Sequence, residues 1–287
     1  MNDTMITAQA NAKINLNLEI LGKRSDGFHN ISSIFQKISL SDTLEFEQSE
    51  NLILECDVEE LNNENNLVYR AAKLLQLRTS LNIGARIILH KKIPTSAGLG
   101  GGSSNAATTL LTLNEMWDAG LSLKDLEHIA AELGSDVPFF IQNTTALVEG
   151  RGEKITTLNP PKMSWMVLLM PPLQIQNKTQ RVFSAITERD YTQGETVPKI
   201  ARRMKKSQLK IQDSLAINHL ENSALSLFKE IVPYRDIFSD IPHASPQLTG
   251  AGPSYFSIFP SKNHAQIAAK RLQTLVPAKI IVTNTLE

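Results

Sequence analysis

The order of periodic segments predicts an α+β fold, because strand patterns of period two and helix patterns of period near 3.6 are interleaved without a regular strand-helix-strand alternation. Length points to one large or two modest domains: the chain has 287 residues, against about 150 per domain. The pair Pro160-Pro161, the first of two proline pairs that flank one strand pattern, sets the expected boundary between 1–160 and 161–287. Composition agrees with a packed protein, since 41% hydrophobic residues with 13 Pro and 14 Gly can fill a core.

Taken in order, Asn11 to Leu21 alternates strictly, with Ile14, Leu16, Leu18 and Ile20 on one side and Lys13, Asn15, Asn17 and Glu19 on the other. This predicts a half-buried strand whose non-core face carries Lys13 and Asn15 together. On spacing alone, a solvated strand lysine is the ordinary reading of Lys13. Strands are expected at Ile34–Leu40, Thr43–Glu47 and Leu52–Glu55, separated by Ser, Asp and Asn turns. Asp57 to Asn66 reads as a surface loop whose last asparagines cap a helix bearing Leu67, Ala71, Leu74 and Leu75. Arg86 to His90 is a strand pattern and Ser103 to Ala119 a helix. A second helix, Leu123 to Leu133, starts on the Ser122/Asp125 signal and stops at Gly134. Thr144–Val148 and Met166–Met170 are strand patterns. Further expectations are helices at Thr179–Thr187, Asp213–Phe228 and His264–Leu275, and strands at Tyr255–Phe259 and Ile280–Thr283.

Charge and cysteine content narrow the function classes. With 29 basic and 29 acidic side chains the net charge is zero, so no global field draws nucleic acid or an anionic membrane, and any anion must be held locally. The basic run Arg202 to Lys210 lacks the interleaved aromatics of a single-strand groove and reads as a solvated face. Cys56 is the one cysteine, which excludes an internal disulfide framework. The first residues carry no basic-then-apolar leader, and Met163 to Met170 is far short of the ~20 residues a spanning helix needs. A cytoplasmic protein is expected, its oligomeric state left open.

The chemistry-bearing stretch is Pro94-Thr95-Ser96-Ala97-Gly98-Leu99-Gly100-Gly101-Gly102-Ser103-Ser104, between a strand and a helix. Its glycines permit backbone shapes closed to residues with a Cβ, so N–H groups can curl around an anion while the following helix adds its positive dipole end. Ser103 and Ser104 are placed to contact phosphate or a phosphate-bound cation. No lysine follows Gly102, so this is not a Walker A loop; position 103 is serine, so the G-x-G-x-x-G fingerprint fails; position 105 is asparagine, so a G-x-S-x-G elbow fails. The protein-kinase H-R-D and D-F-G signatures are missing, and the six histidines show no metal-ligand spacing. Asp136, between Gly134 and Pro138, is displayed on a short connector, and phosphoryl transfer to an alcohol needs such a carboxylate near a cation. His29 follows Ser25-Asp26-Gly27-Phe28, placing an aromatic and an imidazole together on a turn. Leu248-Thr249-Gly250-Ala251-Gly252 is a further glycine turn.

Three motifs in this order, Lys13-Ile14-Asn15-Leu16, the glycine loop from Pro94 and Leu248-Thr249-Gly250-Ala251-Gly252, resemble the GHMP small-molecule kinases. Gly22-Lys23-Arg24-Ser25-Asp26-Gly27-Phe28-His29 and Leu133-Gly134-Ser135-Asp136-Val137-Pro138 are similar to the branch acting on 4-diphosphocytidyl-2-C-methyl-D-erythritol, and the resemblance runs from about Asn11 to Phe259. It implies a two-domain α+β fold with the active site in a cleft, and ATP-dependent phosphorylation of that polyol's 2-hydroxyl in the non-mevalonate isoprenoid pathway. It implies Lys13 and Asp136 as the catalytic pair, Pro94 to Ser104 as the ATP-phosphate loop and Asn66 and Lys91 at the adenine site. Asn15, Phe28 and His29 would contact the cytidyl substrate, Gly250 and Gly252 would lie near the site, and Mg2+ would accompany ATP through ligands the sequence does not assign. Small molecules are the implied partners, with neither nucleic acid nor membrane. Phe28 stands where many members have tyrosine. The segment Leu173–Thr179 replaces a shorter hydroxyl-bearing one, and Phe183 is the candidate for the second aromatic beyond it. Two other classes stay in view: a non-catalytic nucleotide-binding relative, disfavoured by the presence of both Lys13 and Asp136, and a dinucleotide oxidoreductase, disfavoured by the missing third glycine.

Overall fold

The computed structural model describes residues 5–206 and 217–287. It forms two compact units, each assembled from separate pieces of chain: Met1–Ala12, Leu40–Thr95 and Gly100–Asn143 in the first, and Lys13–Ser39, Ser96–Leu99 and Thr144–Glu287 in the second. Pro160-Pro161 lies inside the second unit. The discontinuity follows from two long strands, β1 (Ile6–Lys23) and β2 (His29–Ser49), each of which runs from one unit into the other.

In the first unit, β2 pairs antiparallel with β4 (Gly84–His90), Thr43 opposite His90, and β3 (Ile53–Cys56) joins β4 in parallel, Ile53 opposite Arg86. Four helices complete it: α1 (Leu67–Thr79), α2 (Gly101–Met116), α3 (Leu123–Leu133) and α4 (Val137–Gln142). Leu44, Phe46, Val68, Leu75, Ile87, Leu110 and Leu113 are fully buried. The ends of α3 are as the sequence predicts, with a reciprocal Ser122/Asp125 capping box. Gly134 does end the helix, but in extended rather than left-handed backbone. The expected turn between Ile34–Leu40 and Thr43–Glu47 does not exist, because β2 runs straight through Ser41-Asp42. Asp42 is fully buried instead, its carboxylate accepting from Lys92 N (2.7 Å), Ile93 N (2.8 Å) and the Lys91 ammonium.

In the second unit, β5 (Thr145–Gly150) pairs with β2, Ile31 opposite Gly150, and β6 (Lys154–Thr157), which has no strand signal in the sequence, extends this sheet. A separate antiparallel sheet has the order β10-β7-β9-β8, from β7 (Trp165–Met170), β8 (Gln247–Leu248), β9 (Tyr255–Phe259) and β10 (Lys279–Asn284). Helices α5 (Lys178–Ser184), α6 (Thr196–Lys206), α7 (Glu221–Leu227), α8 (Val232–Ser239) and α9 (Lys262–Leu275) belong here. The core gathers Leu18, Ile20, Val167, Leu169, Phe228, Phe238, Tyr255, Phe259 and Leu272. Within the helix expected over Asp213–Phe228, α7 covers Glu221–Leu227, while positions 213–216 and the end of the basic run, 207–210, lie outside the described residues. Arg202, Arg203, Lys205 and Lys206 are exposed on α6, as expected of a solvated face, while Val197, Ile200, Ala201 and Met204 are buried.

β1 is not half-buried. Lys13, Asn15, Asn17 and Glu19 on its polar face are all at most 4% exposed, so each needs a partner. Glu19 has one in α6, whose Val197 N–H donates to its carboxylate at 2.8 Å, a negative charge at a helix N-terminus. No helix among the described residues is long and apolar enough to cross a membrane.

Candidate active site

Three clusters hold the residues singled out from the sequence. The first, in the second unit, is built on β1 where it meets the glycine loop. Lys13 N donates to Leu99 O at 2.9 Å, which ties the loop to the strand backbone. The Lys13 ammonium donates to Asn15 Oδ1 at 2.8 Å and lies 4.4 Å from the centre of the Phe35 ring. Asn15 is fixed in turn, its Nδ2 donating to Ser33 Oγ (3.0 Å) and its N–H to Thr249 Oγ1 (3.2 Å). Thr249 Oγ1 also lies 3.4 Å from Gly98 O. Gly98 has φ +81°, and a Cβ there would stand 2.5 Å from Thr249 O and 2.9 Å from Gly252 O, so only glycine fits between the two turns. Gly250 has φ +56°, and a Cβ there would come within ordinary contact distance of Asn15 Oδ1 and Gly98 O. The turn at Leu248–Gly252 is therefore a wall of this cluster.

The second cluster, also in the second unit, surrounds His29 at the start of β2. Its ring lies 5.6 Å from Phe183 and 6.2 Å from Tyr191, between centres. His29 is 7% exposed and its Nε2 is buried without a hydrogen-bond partner. Burial first, then the nearby Lys23 ammonium, holds the imidazole below its usual 6.5. Phe28 is not part of this cluster in the structure: it is 53% exposed, with the Arg151 guanidinium 5.4 Å from its ring. The turn that displays it is held by Arg24 N donating to Phe28 O (2.7 Å) and Phe28 N donating to Asp26 Oδ1 (3.2 Å).

The third cluster, in the first unit, is the start of α2. The helix begins at Gly101, two residues earlier than predicted, with Gly100 at φ +70° before it and no side chain capping it. An uncapped N-terminus of a 16-residue helix leaves donors and a positive dipole end for an anion. Asn105, one turn in, is 1% exposed and its Nδ2 has no partner. Lys91 lies beneath this turn, bonded to Asp42 and 3.5 Å from Asn105 Oδ1. Ser103 is half-buried and Ser104 buried; Pro94 is half-buried and Thr95 and Ser96 are exposed. Asn66 serves as the cap of α1, its Oδ1 accepting from Val68 N (3.0 Å) and its Nδ2 donating to Leu61 O (2.8 Å). Asp136, half-buried, stands at the N-cap position of α4 without capping it.

Residues 66–144 match the family described as GHMP kinases N terminal domain. A 4-diphosphocytidyl-2-C-methyl-D-erythritol kinase of Dehalococcoides mccartyi (strain CBDB1) is 39% identical over 263 residues, 91% of this chain and 92% of that one. The enzyme so named from Pelotomaculum thermopropionicum is 36% identical over 98% of both chains. The chain belongs to the 4-diphosphocytidyl-2-C-methyl-D-erythritol kinase family. A crystal structure of a 4-(cytidine 5'-diphospho)-2C-methyl-D-erythritol kinase superposes with a TM-score of 0.82 at 30% identity, covering 98% of this chain and all of that one. A homoserine kinase from Cytophaga hutchinsonii, 15% identical, shares the fold with a TM-score of 0.73. The protein is thus a kinase with the GHMP α+β fold. In this member of the 4-diphosphocytidyl-2-C-methyl-D-erythritol kinase family four site neighbours have no clear signal in the sequence. Asp42 has the look of turn punctuation. Thr249 is overshadowed by its adjacent glycines, although its place in a T-G-A-G turn is visible. Tyr191 and Lys178 sit in stretches without a motif. Lys178 donates to Ser96 O at 2.8 Å.

Proposed function

We propose that this kinase transfers the γ-phosphoryl group of ATP to the 2-hydroxyl of 4-diphosphocytidyl-2-C-methyl-D-erythritol, with Lys13 and Asp136 as the catalytic pair. The hydroxyl oxygen forms the new bond to phosphorus as the bond to the β-phosphate oxygen breaks; the hydroxyl proton passes to the Asp136 carboxylate and ADP leaves. Lys13 supplies the cation for the charge that develops on the transferring group. The N–H groups from Gly98 through Ser104, with the uncapped start of α2, cradle the ATP phosphates, and Asn66 and Lys91 flank the base. Lys91 acts there through its buried pair with Asp42, which supports the first turn of α2. The substrate's cytosine stacks on Phe28 and Phe183 and meets the edge of His29, with Asn15 on the same substrate. Gly250 and Gly252 shape the wall.

The observation that carries this reading is the Lys13 cluster. Three segments distant in sequence, β1, the glycine loop and the Leu248–Gly252 turn, are fastened around one buried ammonium. A buried ammonium beside a glycine loop is suited to an anionic ligand. The unpartnered His29 Nε2 among aromatic rings supports the base site in the same way. Among the described residues no group of three or more His, Cys, Asp or Glu could hold a metal. Hydroxyls on the first turn of α2 fit a Mg2+ that arrives on the nucleotide and keeps most of its waters. Such an ion would neutralise phosphate charge, Ser103 and Ser104 being its protein ligands. An ATP-binding N-terminal domain over 1–160, a C-terminal GHMP kinase domain over 161–287 and a cytoplasmic location belong to the same proposal.

The test is a coupled ADP-release assay on a panel of alcohols. Release is expected with the cytidyl polyol and not with mevalonate or homoserine; equal release with all three, or none with the cytidyl polyol, would contradict it.

A further inference from the structure

The helix expected over Asp213–Phe228 would enclose Asn218, and no motif of the sequence singles that residue out. In the structure Asn218 instead lies beside β1, within the second unit. Leu18 N donates to Ile217 O at 2.6 Å and His219 N donates to Leu18 O at 3.0 Å, a parallel bridge that fixes the Asn218 backbone to the strand carrying Lys13 and Asn15. The side chain is bonded to the Leu248–Gly252 turn. Its Nδ2 donates to Leu248 O (2.7 Å) and to Gly250 O (2.8 Å), and its Oδ1 accepts from Leu220 N (3.0 Å). No other side chain of this length offers two donors and an acceptor from one planar group.

The turn held in this way is the one that meets the neighbours of Lys13. Thr249, fully buried, accepts from Asn15 N at 3.2 Å and lies 3.4 Å from Gly98 O. Asn15 Oδ1 accepts in turn from the Lys13 ammonium at 2.8 Å. β1 and the turn are therefore joined twice, at Asn15 through Thr249 and at Leu18 through Asn218. Gly250 at φ +56° and Gly252 at φ +79° leave the turn's own backbone permissive, so the direction of its carbonyls has to be set from outside. The Asn218 amide sets it. We propose that Asn218 is a positioning residue for phosphoryl transfer, which holds the turn so that Thr249 orients Asn15 and, through it, the Lys13 ammonium. The proposal rests on the assignment of Lys13 to the transferring phosphoryl group. In the competing account Asn218 only stabilises the core in which Leu18, Leu220 and Leu248 pack together.

Steady-state kinetics with both substrates separate the two accounts, applied to the unsubstituted protein, Asn218→Ala, Asn218→Asp, Thr249→Val and the Asn218→Ala/Thr249→Val double variant, each checked by thermal unfolding. Loss of core stability alone leaves kcat of the folded protein unchanged, whereas a misdirected catalytic group lowers it. Asn218→Ala should lower kcat about 10-fold, with KM for ATP and for the acceptor within about threefold of normal. Asn218→Asp keeps the volume but sets a carboxylate against two carbonyl oxygens, and should lose about 10²-fold. Thr249→Val should resemble Asn218→Ala, and the double variant should lose no more than about threefold beyond the worse single one, because the two residues act along one path. Normal kcat in folded Asn218 variants, an Asp variant no worse than the Ala variant, a change confined to KM, or single losses that multiply would each overturn the proposal. If the Asn218 variants do not fold, Thr249→Val decides: normal kcat removes the route from Asn218 to Lys13 and overturns the proposal, and a lowered kcat at unchanged KM supports it. Lys13→Met in the same assay tests the assignment beneath it. If that variant is inactive while the Asn218 variants are normal, only this proposal falls; if it is fully active, the assignment of the site falls.

Discussion

Asp42 is a fully buried carboxylate whose removal would strand the equally enclosed Lys91 ammonium and two backbone N–H groups. Breaking one side of such a pair costs about 3–5 kcal/mol, so Asp42→Ala should lower the urea-unfolding free energy by about that much; a loss under about 1 kcal/mol would mean the pair is solvated. The sequence does hold a sign of this burial, because Ile38, Leu40, Asp42, Leu44 and Phe46 share one parity of β2 and hence one face. The turn-like Ser-Asp pair masks it. Lys13 is less legible, since burial of the second face of β1 depends on elements such as α6 that no local pattern reveals. His29 has a folded-state pKa below 6.5. The unfolded chain then takes up the proton more readily, so stability from the neutral ring is complete above about pH 6.5 and is lost as pH falls through the lower folded value. His29→Phe should therefore flatten the acid side of the stability curve, read as urea midpoints at about pH 7.5 and 5.5; an unchanged slope would mean that the ring titrates normally. Phe28, exposed on its turn, contributes little to the core. Stacking on a base contributes about 1–3 kcal/mol, so Phe28→Ala should raise KM for the cytidyl substrate about 10–100-fold and leave KM for ATP nearly unchanged. Equal rises would make it a packing residue.

The glycine loop is the most legible element, because a glycine run leading into a helix has a physical meaning from residue chemistry alone. What the sequence does not separate is why each glycine is required. Gly98 is required by its left-handed backbone and the approach of Thr249 O, whereas a Cβ at Gly101 meets Ile93 Cγ2 at 2.9 Å. A Cβ at Gly102 would meet, among the described residues, only Leu67 Cδ1 at 3.5 Å, ordinary contact. Gly98→Ala and Gly101→Val should thus destabilise the fold and weaken ATP binding together. Gly102→Ala should keep or raise stability, by up to about 1 kcal/mol from helix propensity, while still weakening ATP binding. Calorimetry showing unaltered ATP affinity in Gly102→Ala would mean that phosphates do not approach this backbone. Other elements escape the sequence pattern for identifiable reasons. β6 is four residues long, and α8 carries Pro233 in its first turn, where proline starts a helix rather than breaking one.

At the scale of the whole chain, the near-neutral composition leaves no global field, and the proposed site rests instead on local buried groups such as Lys13. The α+β class is legible from the mixture of periods, while the division of β1 and β2 between two units is not, since a long strand gives one continuous pattern whichever unit its ends join. The central proposal is that Lys13 and Asp136 act on one transition state. The direct measurement is kcat for Lys13→Met, Asp136→Asn and the double variant, with KM for both substrates. Each single change should lower kcat by about 10²–10⁴ with modest changes in KM, and the double variant should lose far less than the product of the two, as residues acting as a unit do. Near-normal kcat in Asp136→Asn, or losses that simply multiply, would contradict the account and send the search to another carboxylate.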